Sequence, residues 1–454
     1  MSYHTRCFSR LARPRAQRIQ WRLLPVRCYA SSTADDLPWF QQLRNEMLGR
    51  DILSSREYID ENVDHRLIDT LCTFLPQEWC RRNNGVGKVV PVGHHLVWFN
   101  ASMPVDKLLP DGTDPLQSPG EPWVRRMWAG GSVRIEPEAY YAQSTGFATG
   151  SSVVCAERIS DVQLRGHDDT AKIFVTIERR FARYDAIRER YKTPSPGIQG
   201  ISKRGPGPQY HFREQLRNED WEDAILVEKR NLVFLKDKTA AELEAIKAGG
   251  MAPVKYLKSP GVHDFSHVLT PTRALLFRYS ALTFNAHLIH LDREYARTIE
   301  GHRNLLVHGP LSLTLMLQAM SGYIQAISGG SQVLESIEYR NLAPLYCDEE
   351  LRICGVKKEK SSTGSLLFDV WIEGPTGGVA VKGTVRTARK PVSKAQEESQ
   401  TGRSEIDAPI RHLHVKSGKT TAMRVQGATL DILRKEGESS DTLQTNTEVA
   451  EGRS

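Results

Sequence analysis

The sequence predicts an α+β fold in which an antiparallel sheet wraps around one buried helix, and three observations support this. Large apolar residues repeat at three and four positions between Pro310 and Ile327, which is typical of a long helix. A hairpin follows at 366–385, where apolar residues alternate on both sides of a loop at 373–378. Earlier strands are expected at 152–159, 171–181 and 225–234, from the same period of two.

The other elements follow in chain order. Apolar spacing at 67, 68, 71 and 74 predicts a helix over 66–74. Eight prolines and glycines between 194 and 208 exclude a helix or central strand there. The stretch from 235 to about 291 is expected to be rich in loops, and the long helix is expected to be buried nearly all round.

A length of 454 residues suggests two domains with tails. We expect a first domain at 38–192, a Pro/Gly-rich linker or loop at 193–220 and a second domain at 221–392. Residues 393–454 are rich in Ser, Thr, Glu and Gln, with too few apolar side chains to pack, so they are expected to be disordered and dispensable for folding.

Residues 1–32 have the composition of a mitochondrial presequence, with no acidic residue before Asp35. The arginines of this segment are Arg6, Arg10, Arg13, Arg15, Arg18, Arg22 and Arg27. We expect cleavage after Tyr29 and residence in the mitochondrial matrix. The seven cysteines form no CxxC pair, which fits a reducing compartment.

The bulk composition excludes two classes of protein. The net charge of +7 is inflated by the N-terminal segment, and no basic stripe interleaved with aromatic residues indicates nucleic-acid binding. The longest apolar run, 311–327, is interrupted by Gln318, Ser321 and Gly322, so no membrane span is expected.

The most informative segment is Phe284-Asn285-Ala-His287-Leu-Ile-His290, which extends to Ala296. It resembles the signature of the MaoC-like hydratases (hydratase type two), Ser-Gly-Asp-x-Asn-Pro-Leu-His, followed six residues later by a small residue. His290 matches the catalytic histidine of that family, and Asn285 takes the place of the catalytic aspartate. The departures are Phe284 for glycine, His287 for asparagine and Leu288 for proline.

A second phrase, Val307-His-Gly-Pro-Leu311, completes a resemblance to one branch of this family, the fungal mitochondrial hydroxyacyl-thioester dehydratases and bacterial mesaconyl-CoA hydratases. Segments 109–115, 125–131 and 174–177 are similar to the N-terminal half of that branch. The resemblance covers roughly 38–389. It implies tandem hotdog domains that form an internal pseudo-dimer, with a degenerate first domain and a catalytic second one, and no cofactor.

Dehydration of a 3-hydroxyacyl thioester requires a base for the C2 proton, an acid for the leaving hydroxyl and stabilisation of the enolate oxygen. The resemblance gives His290 the proton transfers, while Asn285 orients the water through its amide. The backbone N–H of Gly309, at the start of the long helix, is a seat for the thioester oxygen, and His308 braces the turn. Either His290 acts alone or a second group such as Asp292 takes part.

Other residues remain open between two interpretations. Trp128, Gly130 and Gly131 either let an acyl chain pass or form a packed turn. His287 and His290 could share a metal, but no third ligand follows at a suitable spacing, so no metal is expected. The first half has no counterpart of the catalytic pair, which implies a wider acyl tunnel and longer substrates.

The expected function is a (3R)-3-hydroxyacyl-thioester dehydratase of mitochondrial fatty acid synthesis that acts on acyl groups carried by acyl carrier protein or CoA, as a monomeric double hotdog or a homodimer. Candidate carrier-docking residues are basic: Arg179, Arg180 and Arg183, or Lys357, Lys358 and Lys360. The alternatives are a mesaconyl-CoA-type branched acyl-CoA hydratase, a hotdog thioesterase and a non-catalytic acyl-binding hotdog protein. The asparagine at position 285 argues against the thioesterase, because that enzyme needs a carboxylate at this position.

Overall fold

The computed structural model describes residues 37–50, 54–80, 85–142, 145–190, 223–251, 254–358 and 364–391. The chain divides into two compact units, and all of these residues belong to the first, Met1–Glu397. The predictions of a presequence at 1–32, a linker at 193–220 and a disordered tail at 393–454 lie outside the described residues.

The first half of the described chain contains four helices and five strands. The helices are α1 (Pro38–Leu48), α2 (Glu61–Leu71), α3 (Pro137–Tyr140) and α4 (Tyr184–Arg190). The strands are β1 (Ser54–Tyr58), β2 (Arg125–Ile135), β3 (Ser152–Arg165), β4 (Lys172–Arg183) and β5 (Leu226–Leu235).

The second half of the described chain contains the same numbers of elements. Its helices are α5 (Ala240–Lys247), α6 (Arg273–Leu282), α7 (Arg293–Thr298) and α8 (Gly309–Ser328). Its strands are β6 (Phe265–Leu269), β7 (Gln332–Asn341), β8 (Leu351–Lys357), β9 (Leu367–Glu373) and β10 (Val379–Arg389).

All ten strands form one antiparallel sheet, in the order β1-β3-β4-β5-β2-β7-β10-β9-β8-β6. Within each half the order is the same: first, third, fourth, fifth and second strand of that half. The two second strands, β2 and β7, pair at the centre, with Val133 opposite Ile337. This repeated order, with a helix held by the sheet of the second half, confirms the tandem hotdog architecture.

The strand pairing corrects one assignment made from the sequence. Residues 226–235 were placed in the second domain because they follow the Pro/Gly-rich stretch, yet β5 pairs with β4 and β2 in the first half. The order of the first half is complete only with β5, so its sheet includes a strand from beyond residue 192.

Helix α8 begins and ends where its sequence favours it. Pro310 occupies the first turn, where a missing N–H costs nothing, and Gly329 ends the helix in the left-handed conformation, at φ 59°. Residues 311–320 are all buried, which agrees with the prediction of a helix covered nearly all round. Its Met316 and Met320 are fully buried in the main core, together with Ile337 and Phe368 of the surrounding strands.

The first half has no helix of this length between its first two strands among the described residues. That interval contains the 11-residue α2, three short 3-10 turns (Gln77–Trp79, His94–Val97 and Val105–Lys107) and a long loop at 98–124 that includes the last of them. Asp60 caps α2 by accepting hydrogen bonds from the N–H groups of Asn62 and Val63.

Strand β2 carries a bulge between Trp128 and Gly130. Gly130 and Gly131 have φ values of 139° and 156°, and a Cβ on either would collide with the backbone carbonyl of Tyr339 or Lys229 on a neighbouring strand. Both glycines are required for strand packing at the centre of the sheet.

The stretch expected to be loop-rich, 235–291, contains α5, β6 and α6. Strand β6 has only five residues, and its half-buried His267 and exposed Val268 break the apolar alternation that would reveal a strand. In the part of the chain that the structure describes, no helix is both long and apolar enough to cross a membrane.

Candidate active site

A cavity of about 850 Å³ lies at the junction of the two halves. Its walls come from β2 and β5, the loop at 98–124, the segment 279–291 and the start of α8. Of the four predicted catalytic and thioester-binding residues, Asn285, His290 and Gly309 line it.

His290 ends a 3-10 turn and is nearly fully buried. Its Nδ1 lies 2.8 Å from the carbonyl oxygen of Leu306, so Nδ1–H donates to that oxygen and Nε2 keeps a free lone pair. Nε2 has no hydrogen-bond partner among the described residues. Burial lowers the pKa of His290 to about 4, against the hydrogen bond to Leu306, which raises it. The ring is therefore a neutral base near pH 7.

His308 stacks on His290, with ring centroids 3.7 Å apart and planes 20° from parallel. It precedes α8 and is completely buried, and its Nε2 lies 2.8 Å from the Oγ of Ser280. Burial holds the pKa of His308 well below its usual value, so it too is neutral. His308 does not line the cavity among the described residues, and the structure gives it a bracing position beneath His290.

Asn285 accepts a hydrogen bond at Oδ1 from the backbone N–H of His287, at 3.1 Å. Its amide nitrogen has no partner among the described residues, so the group available to a ligand is a donor. The preceding Phe284 has φ 51°, in the left-handed region that glycine adopts without strain and a phenylalanine rarely does.

His287 lines the cavity next to His290, with ring centroids 5.5 Å apart and planes at 84°. Its Nε2 lies 3.4 Å from Oδ2 of Asp111, which belongs to the loop at 98–124 of the first half. Burial holds the pKa of His287 well below its usual value, and the proximity of His290, Arg126 and His302 lowers it further. His287 is therefore a third neutral histidine.

Gly309 occupies the first turn of α8, where backbone N–H groups lack intrahelical acceptors and the helix dipole favours negative charge. A Cβ at this position would lie 2.9 Å from the Cβ of Trp128 and 2.8 Å from Nδ2 of Asn341. His308 directly precedes Gly309 and stacks on His290. The N–H of Gly309 and the Nε2 of His290 can therefore contact the same ligand in the cavity.

Of the three residues considered for an acyl tunnel, the structure places one at the cavity and two away from it. Trp128 lines the cavity, and its Nε1–H donates to the hydroxyl of Tyr339 at 2.7 Å. Gly130 and Gly131 are not among the lining residues, because their close approach to neighbouring strands leaves no space beside them. Of the two interpretations that the sequence left open, close packing is the one that their positions favour.

Asp292 is excluded as the second proton-transfer group. Its Oδ1 accepts hydrogen bonds from the N–H groups of Glu294 and Tyr295 at the start of α7, so its side chain caps a helix. It is exposed and does not line the cavity among the described residues.

Several charged side chains line the cavity that the sequence did not single out as site residues. Arg126 lies 3.2 Å from Asp114 and is a cation close enough to lower the pKa of both His287 and His290. Arg230 lies over the ring of Trp128 and donates through Nε to Glu228 at 2.7 Å. The segments 109–115 and 125–131 carried the family resemblance, which is the signal that could have identified Asp111 and Arg126.

A buried imidazole base beside a helix N-terminus, in the wall of a cavity between two hotdog halves, defines a hydro-lyase of the hotdog fold. The family model for hydroxyacyl-thioester dehydratase type 2 matches residues 93–194 and 201–347. The chain belongs to this family. It is an enzyme that adds water to, or removes water from, an acyl thioester.

Three curated relatives agree. The mitochondrial hydroxyacyl-thioester dehydratase type 2 of Schizosaccharomyces pombe is 26% identical over 318 residues, 69% of this chain and 91% of the relative. The mesaconyl-C(4)-CoA hydratase of Chloroflexus aurantiacus is 36% identical over 127 residues, 28% of this chain and 41% of the relative. The mitochondrial hydroxyacyl-thioester dehydratase type 2 of Saccharomyces cerevisiae is 28% identical over 151 residues, 33% of this chain and 46% of the relative. Both fungal enzymes are named as mitochondrial, which supports a mitochondrial location for this chain.

Proposed function

We propose that this enzyme catalyses the reversible dehydration of (3R)-3-hydroxyacyl thioesters to trans-2-enoyl thioesters, as a step of fatty acid synthesis in the mitochondrial matrix. The acyl group is carried by acyl carrier protein or CoA. The observation that carries the proposal is the environment of His290, whose Nδ1–H is bound by Leu306 and whose Nε2 is left free beside the start of α8.

In dehydration, Nε2 of His290 takes the proton from C2, and the electron pair of that bond forms the C2–C3 double bond by way of the enolate. The C3–O bond breaks with its electrons on oxygen, and His290 returns the proton to this oxygen, which leaves as water. The N–H of Gly309 donates to the thioester oxygen while negative charge develops there. The amide N–H of Asn285 donates to the departing oxygen.

The first half supplies the space for the acyl chain. Its sheet presents Ile177 and Leu232 to the cavity, and Trp128 lies between this wall and Gly309. Because no long helix fills this half in the described part of the chain, an acyl chain can extend over the sheet from the reacting carbons. This supports a substrate with more than the four carbons of a crotonyl group.

Two of the three arginines named from the sequence are too buried to dock a carrier protein. Arg179 is fully buried between Glu157 and Glu228, and Arg180 is 5% exposed. Arg183 is half-buried and lies 3.3 Å from Asp185. Lys357 and Lys358 are exposed, although Lys358 lies 2.7 Å from Asp369. Lys360 lies outside the described residues. Monomeric and dimeric double hotdogs both remain compatible with the proposal.

Arg126 favours one second candidate, a hydratase for branched dicarboxylic acyl-CoA of the mesaconyl type. Such a substrate carries a carboxylate close to its double bond and needs a cation near the catalytic histidine. Arg126 is such a cation, although Asp114 already compensates its charge. This candidate predicts higher kcat/KM for mesaconyl-CoA than for any straight-chain enoyl-CoA.

The deciding experiment is hydration of trans-2-enoyl-CoA thioesters of graded length beside mesaconyl-CoA, followed as loss of enoyl absorbance. We expect turnover of the straight-chain series, formation of the (3R) product and higher kcat/KM for chains longer than crotonyl-CoA. Preference for mesaconyl-CoA supports the second candidate. A folded protein that binds these thioesters without turning any over is a non-catalytic acyl-binding protein, and it contradicts both enzymes.

A further inference from the structure

The MaoC-like signature that this segment resembles has a carboxylate at the position of Asn285, and an amide cannot replace all that a carboxylate does. A carboxylate only accepts hydrogen bonds, whereas the Oδ1 of Asn285 is already bound by the N–H of His287 and the free end is a donor. The hydroxyl group of the substrate donates a hydrogen of its own. An acceptor for that hydrogen is missing from position 285.

His287 is placed to supply this acceptor. It lines the cavity two residues from Asn285 and beside the ring of His290. Nε2 faces the carboxylate of Asp111, and Nδ1 has no hydrogen-bond partner among the described residues. The family signature has asparagine at this position, so the two departures at 285 and 287 lie in the same part of the cavity.

Asp111 is held firmly in the orientation that this arrangement needs. Its Oδ1 accepts from the N–H of Thr113 at 2.9 Å and from the Thr113 hydroxyl at 2.7 Å, which leaves Oδ2 for His287. The backbone oxygen of Asp111 also accepts from the N–H of Leu288, at 2.9 Å. A Cβ on the next residue, Gly112, would collide with the backbone of Ala286. The first-half loop is therefore packed directly on the catalytic segment.

A carboxylate beside Nε2 favours the tautomer with hydrogen on Nε2, and this leaves a lone pair on Nδ1. His287 is neutral because burial, reinforced by His290 and by the positive charge of Arg126, holds its pKa well below the usual value. A neutral ring with a fixed tautomer is a hydrogen-bond acceptor in a set direction.

We propose that His287 accepts the hydrogen of the 3-hydroxyl group in place of the missing carboxylate, and that Asp111 of the first half is the positioning residue that sets its tautomer. This rests on the hydratase function proposed above. His290 still moves the proton from C2 to the leaving oxygen, and the hydrogen held by His287 departs with the water. No bond to His287 forms or breaks, and in hydration the same contact orients the attacking water.

The first test replaces His287 and then Asn285 by the residues that the MaoC-like signature has at these positions. His287→Asn should lower kcat for crotonyl-CoA hydration by roughly 10²-fold, the lower end of the range for groups that act on the reacting proton. Adding Asn285→Asp to it, which restores the family signature at both positions, should recover most of that loss. A folding defect alone would not be repaired by the second substitution, and melting temperatures of all variants, with His287→Gln as an alternative, check the fold.

The second test is a double-mutant cycle between Asp111 and His287. Asp111→Asn should lower kcat in the wild type and have little further effect in His287→Asn, because its role runs through that ring. It should also have little effect in the Asn285→Asp/His287→Asn variant, which has no ring to orient. The matched control is Asp106→Asn, in an exposed aspartate of the same loop that pairs with Lys107, and it should leave kcat unchanged.

The proposal is overturned if His287→Asn keeps wild-type kcat, if the Asn285→Asp/His287→Asn variant is no more active than His287→Asn alone, or if the effects of Asp111→Asn and His287→Asn simply multiply. Each of these results leaves the hydratase function standing, since that depends on wild-type turnover and on His290. If the wild type turns over no enoyl thioester, the proposed function fails, and this inference fails with it.

Discussion

In the second half of the sheet, strands curve around the 20-residue α8, and the space between helix and sheet is filled by apolar side chains. In the first half the 11-residue α2 and a long loop occupy the same interval of the chain, and the concave face carries a cluster of buried ion pairs. The strand order is identical in the two halves. A hotdog sheet therefore does not itself require the helix, and the half that lacks it gains room for a substrate.

The ion pairs show how the first half is held together without the helix. Arg179 is fully buried, with Nε 3.0 Å from Glu157 and NH1 3.0 Å from Glu228, and NH2 donates to the carbonyl of Phe99. Burial raises the pKa of Glu228, but Arg230 and Arg179 outweigh it and bring the pKa to about 2. The charges of this cluster balance, so each partner depends on the others.

The largest effect is expected from breaking this cluster. Arg179→Met should lower the free energy of unfolding by about 3–5 kcal/mol, since it leaves the buried carboxylate of Glu157 without its cation and removes one of the two cations beside Glu228. Arg158→Met is the matched control and should cost less, because Arg158 is half-buried and its partner Glu178 keeps Arg180 and Lys229. Denaturant unfolding compares the two variants. Equal losses would show that the first half does not depend on its buried charges.

The next effect concerns the start of α8. Gly309→Val should lower kcat by roughly 10²-fold to 10³-fold, as for loss of one donor to a developing oxyanion, because the added side chain overlaps Trp128 and displaces the N–H. Gly329→Ala, at the other end of the same helix, has open space around its Cβ but is strained by the left-handed φ of 59°, so it weakens the helix away from the cavity and serves as the control for helix stability. Wild-type kcat in Gly309→Val would remove the N–H from the mechanism.

A smaller effect is expected from the wall of the first half. Leu232→Trp should lower kcat/KM for long enoyl thioesters by about 10-fold to 200-fold relative to crotonyl-CoA, the usual range for steric discrimination in an apolar pocket. Leu232 is buried and lines the cavity. An equal loss for every chain length would mean that the acyl chain does not extend into the first half.

The smallest effect is expected from a change of pH, because kcat/KM should stay constant over most of the range. Because the pKa of His290 is lowered to about 4, its Nε2 stays unprotonated over the range in which a free histidine gains a proton. The value of kcat/KM should be flat as the pH falls through about 6.5, the value for an exposed histidine, and should drop only near pH 4. A drop in kcat/KM centred near pH 6.5, about the value for an exposed histidine, would show that the His290 side chain is exposed to water.

Protein stability should change over the same window, so unfolding must be followed beside activity. Burial lowers the pKa of His95 to about 3 and that of His302 to about 4. Their contribution to stability is complete above the unfolded value of about 6.5 and is lost as the pH falls towards the folded values, because the unfolded chain then binds more protons.

The sequence predicted most of what depends on local pattern. Helix α8 and the hairpin of β9 and β10 were found because the apolar period matches the element over its whole length. Helix α6 was missed because it exposes Phe277 and buries Tyr279 and Ser280, so its apolar side chains do not mark one face.

Apart from Trp128, the predicted residues that line the cavity come from the second half. A resemblance to one signature identified His290 and Asn285, and the start of the long helix identified Gly309. Asp111 reaches His287 only because the loop at 98–124 folds back on the other half, and sequence spacing contains no trace of that contact. The same holds for the bulge in β2, so the sequence alone left the role of Gly130 and Gly131 open.

The most direct test of the account compares one buried histidine from each half. His290 lines the cavity and His95 does not; His95 is completely buried beside Glu228, with no hydrogen bond to its ring. His290→Gln should lower kcat for trans-2-enoyl-CoA hydration by roughly 10²-fold to 10⁴-fold and leave the melting temperature near that of the wild type. His95→Gln should retain kcat and change only stability. Hydratase activity that survives in His290→Gln, or that is lost in a folded His95→Gln, would contradict the placement of the chemistry in the second half.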